Sequence, residues 1–160
     1  MGHNRLFQLN PEPFEGTDDH ISGCCLELSE FPSTFGVDYF NDSENERSED
    51  IQWLQDALPY ANITEEDGQH ILHTDKEFRK NLESEIRKNM NKASSYLNKQ
   101  LSLKNVNLAS VKYQSSYMMR TTDVLFHMGY IRTDIQLLEW LRFNRKVKKL
   151  YIGGIIDYHY

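Results

Sequence analysis

A few pairs of residues in this chain have the types and spacings that chemistry requires. His70 and His73 form an H-x-x-H pair with Glu66, Asp67 and Asp75 close by, and His20 stands near Cys24 and Cys25. Zinc takes three or four such ligands brought together. A histidine pair with nothing fixed beyond it therefore predicts no metal site. Asp157 and His159 lie two apart in a β-prone run, a spacing that puts both on one face of a strand, where a carboxylate can orient an imidazole as acid or base. Asp123 with His127 offers similar chemistry. A small hydrolase built on His127, or on Asp157 with His159, would still need a nucleophile. The chain has no G-x-S-x-G elbow, no S-x-x-K and no H-E-x-x-H, so only Cys24 or Cys25 acting with a distant histidine would serve. Gly153-Gly154 is a lone pair outside any phosphate-cradling glycine pattern. The expected catalytic and metal-ligating sets are both empty, and no cofactor is implied.

Charge is the more informative signal. The chain of 160 residues carries a formal charge of −6, which disfavours a protein whose main task is to coat nucleic acid with basic surface. That total conceals an asymmetry. Residues 1–75 hold 17 acidic residues against two basic ones, Arg5 and Arg47, whereas residues 76–160 hold seven acidic against 16 basic. A split of this kind points to charge-driven partners unless the two halves fold against each other.

The remaining composition narrows the class. Mean hydropathy is −0.67, and no apolar run approaches the roughly 18–20 residues that a membrane helix needs. Cys24 and Cys25 are sequence neighbours, too tightly placed to pair comfortably with each other. They read as reduced thiols and place the protein in the cytoplasm. The first eleven residues carry no apolar secretory core.

Those residues must be positioned by elements that the patterning partly reveals. Residues 1–20 are rich in Pro, Gly, Asp and Glu and read as an irregular segment preceding a single domain over residues 21–160. Alternation of Cys24, Leu26 and Leu28 suggests a short strand over residues 21–28, and residues 30–42 read as a loop. Ser43 with Glu46, or alternatively Ser48, predicts the start of a helix that ends near Pro59, with acids in its first turns where the helix dipole favours them. Thr74 with Glu77 opens the best helix. Its apolar stripe runs through Phe78, Leu82, Ile86, Met90, Ala93 and Leu97 at three- and four-residue spacings, with the other faces strongly basic. Alternation predicts strands around residues 111–115 and 123–131, and Thr133-Asp134 opens a helix through Phe143. The last strand, residues 150–160, is expected to bend or bulge at Gly153-Gly154. The expected fold class is α+β, with about three helices packed on a small, mostly antiparallel sheet.

The leading functional expectation is a non-enzymatic binding protein. Its acidic half, through Asp38, Asp42, Glu44, Glu46, Glu49, Asp50, Glu65, Glu66 and Asp67, would dock on a protein partner with a basic surface. Such a partner would be a nucleic-acid-acting enzyme, inhibited in the manner of immunity proteins or nucleic-acid mimics. The first alternative is a nucleic-acid-binding module using Lys80, Arg87, Lys88, Arg145, Lys148 and Lys149. The second is the small hydrolase already described. No membrane partner is expected.

Overall fold

A computed structural model describes residues 3–119 and 124–159 of the chain. Its centre is β1 (His3–Asn10), which pairs antiparallel with the long final strand β6 (Lys149–His159) and parallel with the short β5 (Leu125–His127). The other edge of β6 is shared. β4 (Gln69–His73) pairs with its first half and β2 (Tyr39–Asp42) with its last, while β3 (Asn62–Glu66) lies outside β4. The helices are α1 (Arg47–Ala57), α2 (Lys76–Leu101), α3 (Leu108–Met118) and α4 (Asp134–Phe143). The fold is thus mixed α and β, with one six-stranded sheet and, among the described residues, four α-helices where about three were expected.

Side-chain alternation gives the sheet two buried faces. Phe7, Leu9, Phe126, Leu150 and Ile152 point to one face and meet Leu54, Phe78, Leu82, Leu137 and Leu141 from the helical layer. Leu6, Leu125, Ile156 and Tyr158 point to the other and meet Leu26, Phe31 and Phe35. That second cover is a segment of short 3-10 turns: Thr17–Asp19, Gly23–Cys25, Leu28–Glu30 and Ser33–Phe35.

Several expectations are corrected here. Residues 3–10 are the central strand, not part of an irregular entry segment. Polar Asn4 and Arg5 are themselves buried there and mask the apolar alternation of the neighbouring positions. Residues 21–28 form turns instead of a strand, because Leu26 is buried whereas Cys24, Cys25 and Leu28 are exposed. Residues 111–115 belong to α3: Val111 and Ser115 are buried one turn apart, and Tyr113 stands in solvent. The hairpin β3–β4 was not anticipated. Its turn is Asp67-Gly68, both with positive φ (50° and 76°), the pairing that two-residue hairpin turns favour. The capping residue of α2 is Asp75, whose carboxylate accepts the Phe78 N–H at 2.9 Å; Thr74 is buried against residues 147 and 148. The stripe on α2 enters the core through Phe78, Leu82 and Ile86, but Met90 is exposed. At about 1.5 Å per residue, 26 residues reach about 39 Å, well beyond the width of the sheet, and the far half packs on α3.

The expected irregularity at Gly153-Gly154 is present. Phe7 pairs with Ile155 and Leu9 with Ile152, so β6 holds one extra residue between these positions. Both glycines are required by close approach: a Cβ on Gly154 would lie 2.3 Å from the Ile21 carbonyl oxygen, and one on Gly153 would lie 2.3 Å from Gln8 Oε1. Gln8 is held in place, since Oε1 accepts the N–H groups of Ile21 and Gly154 at 2.8 Å each. Gly154→Ala is expected to cost about 1–3 kcal/mol through overpacking and more than Gly153→Ala, because the Ile21 backbone cannot move aside, whereas the Gln8 and Phe14 side chains can at the cost of Gln8's two bonds. Urea unfolding of the two variants checks the order, and a larger loss for Gly153→Ala would refute it.

Candidate functional site

The start of α1 is where the acidic segments of the sequence converge. On the open edge of β6, the stretch between its β4 and β2 partners is closed by residues from the β2–α1 connection. The Ser43 N–H donates to the Ile155 carbonyl at 3.0 Å. The Arg47 guanidinium donates to the carbonyls of Gly153, at 2.9 Å, and of Ile152. Arg47 Nε also donates to His70 Nδ1 at 3.2 Å, and His70 Nε2 faces Glu65 at 3.8 Å. Burial lowers the pKa of His70 and the Arg47 charge adds to that, partly opposed by Glu65. Arg47 therefore ties the acidic entry to α1 to the acidic tip of the β3–β4 hairpin, although some 20 residues of sequence separate them.

The nine expected docking acids divide, and Asp38 lies away from this tie, at the His159 end of β2. Asp38, Glu44, Glu46, Glu49 and Asp67 are exposed, and no ion pair engages them among the described residues. Glu65 is exposed opposite His70. Asp42 is exposed but pinned, accepting from Ser22 Oγ at 2.9 Å and the Gly23 N–H at 2.6 Å. Glu66 is paired with Lys149 at 2.7 Å. Asp50 must be removed from the set. It is 2% exposed, and Oδ1 accepts from Arg5 Nε at 2.9 Å and Asn45 Nδ2 at 3.2 Å. A helix face that meets a sheet buries whatever residue sits on it, and Asp50 shares the inward face of α1 with Leu54. Beside Arg47 lies an open cleft of about 310 Å³, lined by His20, Ser22, Asp42, Asn45 and Asp50 among others.

The basic residues are less concentrated than the sequence suggests. Arg87 pairs with Glu83 at 2.7 Å, Lys88 approaches Glu85 at 3.8 Å, and Lys149 holds Glu66. Lys80, Arg145 and Lys148 remain exposed. The two halves are partly neutralised across the fold, since Arg132 also meets Glu30 at 3.3 Å. Arg79 turns inward and donates to the carbonyls of Leu141, Asn144 and Val147 at the end of α4, where a cation complements the helix dipole.

The acid–base pairs fare unequally. His127 borders a cleft of about 530 Å³ and faces Glu30 at 3.6 Å, yet among the described residues no serine, threonine or cysteine lines that cleft. Burial holds its pKa below the usual histidine value, with the Arg132 charge acting in the same direction. Its expected partner Asp123 lies outside the described residues. His70 and His73 cannot share a metal. Three residues apart on β4 they point to opposite faces, and His73 Nε2 is bonded to Thr64 Oγ1 at 2.8 Å. Asp157 and His159 do share a face, and the strand register brings His3 to them. Cys24 and Cys25 are free and exposed, with their sulfurs 3.7 Å apart.

Sequence reasoning overlooked His3, Arg5 and Arg47. The available signal was scarcity: the two basic residues of the acidic half are both arginines, and both leave the surface to make several directed bonds. No family model, curated protein or solved structure matches this chain.

Proposed function

We propose that this protein is a binding protein that presents the acidic surface around the start of α1 to a basic protein partner, and so inhibits or regulates a nucleic-acid-acting enzyme. One observation carries the reading. Arg47 gathers two acidic segments that are remote in sequence, and Glu44, Glu46 and Glu49 stand there in solvent without cationic partners among the described residues. Fixed like charges of this kind raise the capture rate of a surface of opposite sign and lose their effect as salt rises. The exposed members of the docking set are Asp42, Glu44, Glu46, Glu49, Glu65, Glu66 and Asp67, together with Asp38 at the other end of β2 beside His159.

The reading is tested by affinity capture from a native lysate at low and high salt, with a nuclease-treated arm. A partner retained after nuclease treatment and released by salt supports it. With that partner in hand, reversing Glu44, Glu46 and Glu49 to lysine is expected to slow association at least about tenfold and to flatten its salt dependence. Unchanged association kinetics sink the proposal. Retention that disappears with nuclease favours instead the nucleic-acid reading on Lys80, Arg87, Lys88, Arg145, Lys148 and Lys149.

A further inference from the structure

At the far end of the sheet from the hairpin, strand pairing assembles a second cluster, away from Glu44, Glu46 and Glu49 but next to Asp38, whose N–H donates to the His159 carbonyl at 3.1 Å. His3 and His159 are direct cross-strand partners on β1 and β6. Such pairs bring their Cβ atoms within about 5.5 Å, and the two imidazole rings lie with centroids 3.9 Å apart. Asp157, two residues back along β6, projects to the same face, and its Oδ2 is 3.2 Å from His3 Nδ1. One nitrogen from each histidine and one oxygen of Asp157 all lie within 4.8 Å of one another, the one His/Cys/Asp/Glu cluster of this kind among the described residues.

We infer that His3, Asp157 and His159 form a binding site for a divalent transition-metal ion of the zinc type. Two imidazole nitrogens and a carboxylate oxygen are ligands that zinc takes at about 2.0–2.2 Å. Tetrahedral bonds of that length separate the ligand atoms by about 3.4 Å, so side-chain rotations of roughly an ångström close the present cluster on an ion. His3 is 57% exposed at its side chain, which leaves an entry path and room for water as a further ligand. Hard ions such as magnesium and calcium prefer all-oxygen sets and fit poorly.

The surroundings favour a cation at this place. Asp157 Oδ1 lies 2.8 Å from Arg5 Nη1, an ionic contact too poorly angled for a hydrogen bond, and Arg5 Nε is taken by Asp50. One guanidinium between two carboxylates leaves the trio with a net negative charge. Arg5 anchors the inner oxygen of Asp157 and turns Oδ2 toward the histidines. This is the part that outer partners play in metal sites, where they hold a ligand in the orientation the ion needs.

The test is Zn2+ titration of the full chain, free of any affinity tag, by competition with a chromophoric chelator, with Co2+ as a spectroscopic substitute. Saturable binding of one equivalent is expected. Co2+ should give visible ligand-field absorption without the thiolate charge-transfer band that Cys24 or Cys25 would produce. His3→Ala and His159→Ala should each weaken binding at least about tenfold while leaving metal-free thermal unfolding little changed, and Asp157→Asn should act similarly on affinity. The Cys24→Ser/Cys25→Ser double variant should bind as the unaltered protein does. Absence of one-equivalent binding, survival of binding in both histidine variants, or its loss in the cysteine variant would overturn the inference. None of these outcomes depends on Glu44, Glu46 and Glu49, which carry the docking proposal.

Discussion

Replacing Arg5 by leucine is expected to destabilise the protein by about 3–5 kcal/mol, the cost of leaving a buried charge without its partner. The arginine is 8% exposed, its Nε is bonded to Asp50 at 2.9 Å, and its guanidinium lies over the Trp53 ring. Leucine keeps part of the apolar contact with Trp53. It leaves Asp50, 2% exposed, with Asn45 as its remaining side-chain donor. For a chain of this length the loss amounts to a drop of about 10 °C in Tm. The companion variant Arg5→Leu/Asp50→Leu removes the Arg5–Asp50 pair and is expected to recover part of the loss, since a buried pair and a well-packed apolar pair of similar volume are often close in stability, whereas Asp157 still loses its contact with Arg5. Urea unfolding of the three proteins checks this. A single variant within about 1 kcal/mol of the parent would show that water reaches Asp50 and that the pair is not a structural hinge of the fold.

Arg47→Ala is expected to cost about 2–4 kcal/mol. Hydrogen bonds from a charged donor contribute about 1.5–3 kcal/mol each, and Arg47 makes two to the carbonyls of Ile152 and Gly153 and a third to His70. Removing the side chain strips these carbonyls of a shared donor at the point where β6 has passed β4 and not yet met β2. Arg47→Lys should recover little, because a single ammonium cannot reproduce a planar fork that spans three acceptors. Stability is read from denaturant unfolding, and amide exchange at residues 152–155 should quicken more than exchange in α4. Full rescue by lysine would mean that only the positive charge at this position counts, and not the geometry of its bonds.

The consequences reach the proposed docking surface. Arg47 touches both the β6 edge and His70 beside the hairpin tip, so its loss should loosen the spacing between Glu46 and Glu65 as well as the sheet. Reversing the exposed acids changes charge alone. Comparing the two kinds of variant separates a surface whose charge matters from one whose exact arrangement matters.

Where one physical rule governs a segment, its structure was legible from residue types. Phe78, Leu82 and Ile86 repeat at four-residue intervals and are buried in α2 as their spacing requires. Thr133 and Gln136 exchange the reciprocal bonds of a capping box at the start of α4. The β-rich final run with its glycine pair is the bulged strand β6. Segments under two competing rules were not legible. In β1 the adjacent residues Asn4 and Arg5 are both buried and put a polar side chain on each face, so the strand pattern is lost. In α3 the run from Val111 to Ser115 alternates like a strand, whereas its burial follows the helical interval of four residues.

By itself the sequence determined the α+β class, the division of charge between the halves, the long basic helix and the bulged last strand, because each depends on local composition or on a short period. Tertiary structure decided which charges remain in water. Burial is a property of packing partners: Asp50 and Glu49 are neighbours in one helical turn, yet one faces Arg5 beneath the helix and the other faces solvent. It likewise decided that His3 meets Asp157 and His159, since strand register joins residues more than 150 positions apart, and no local period carries that information.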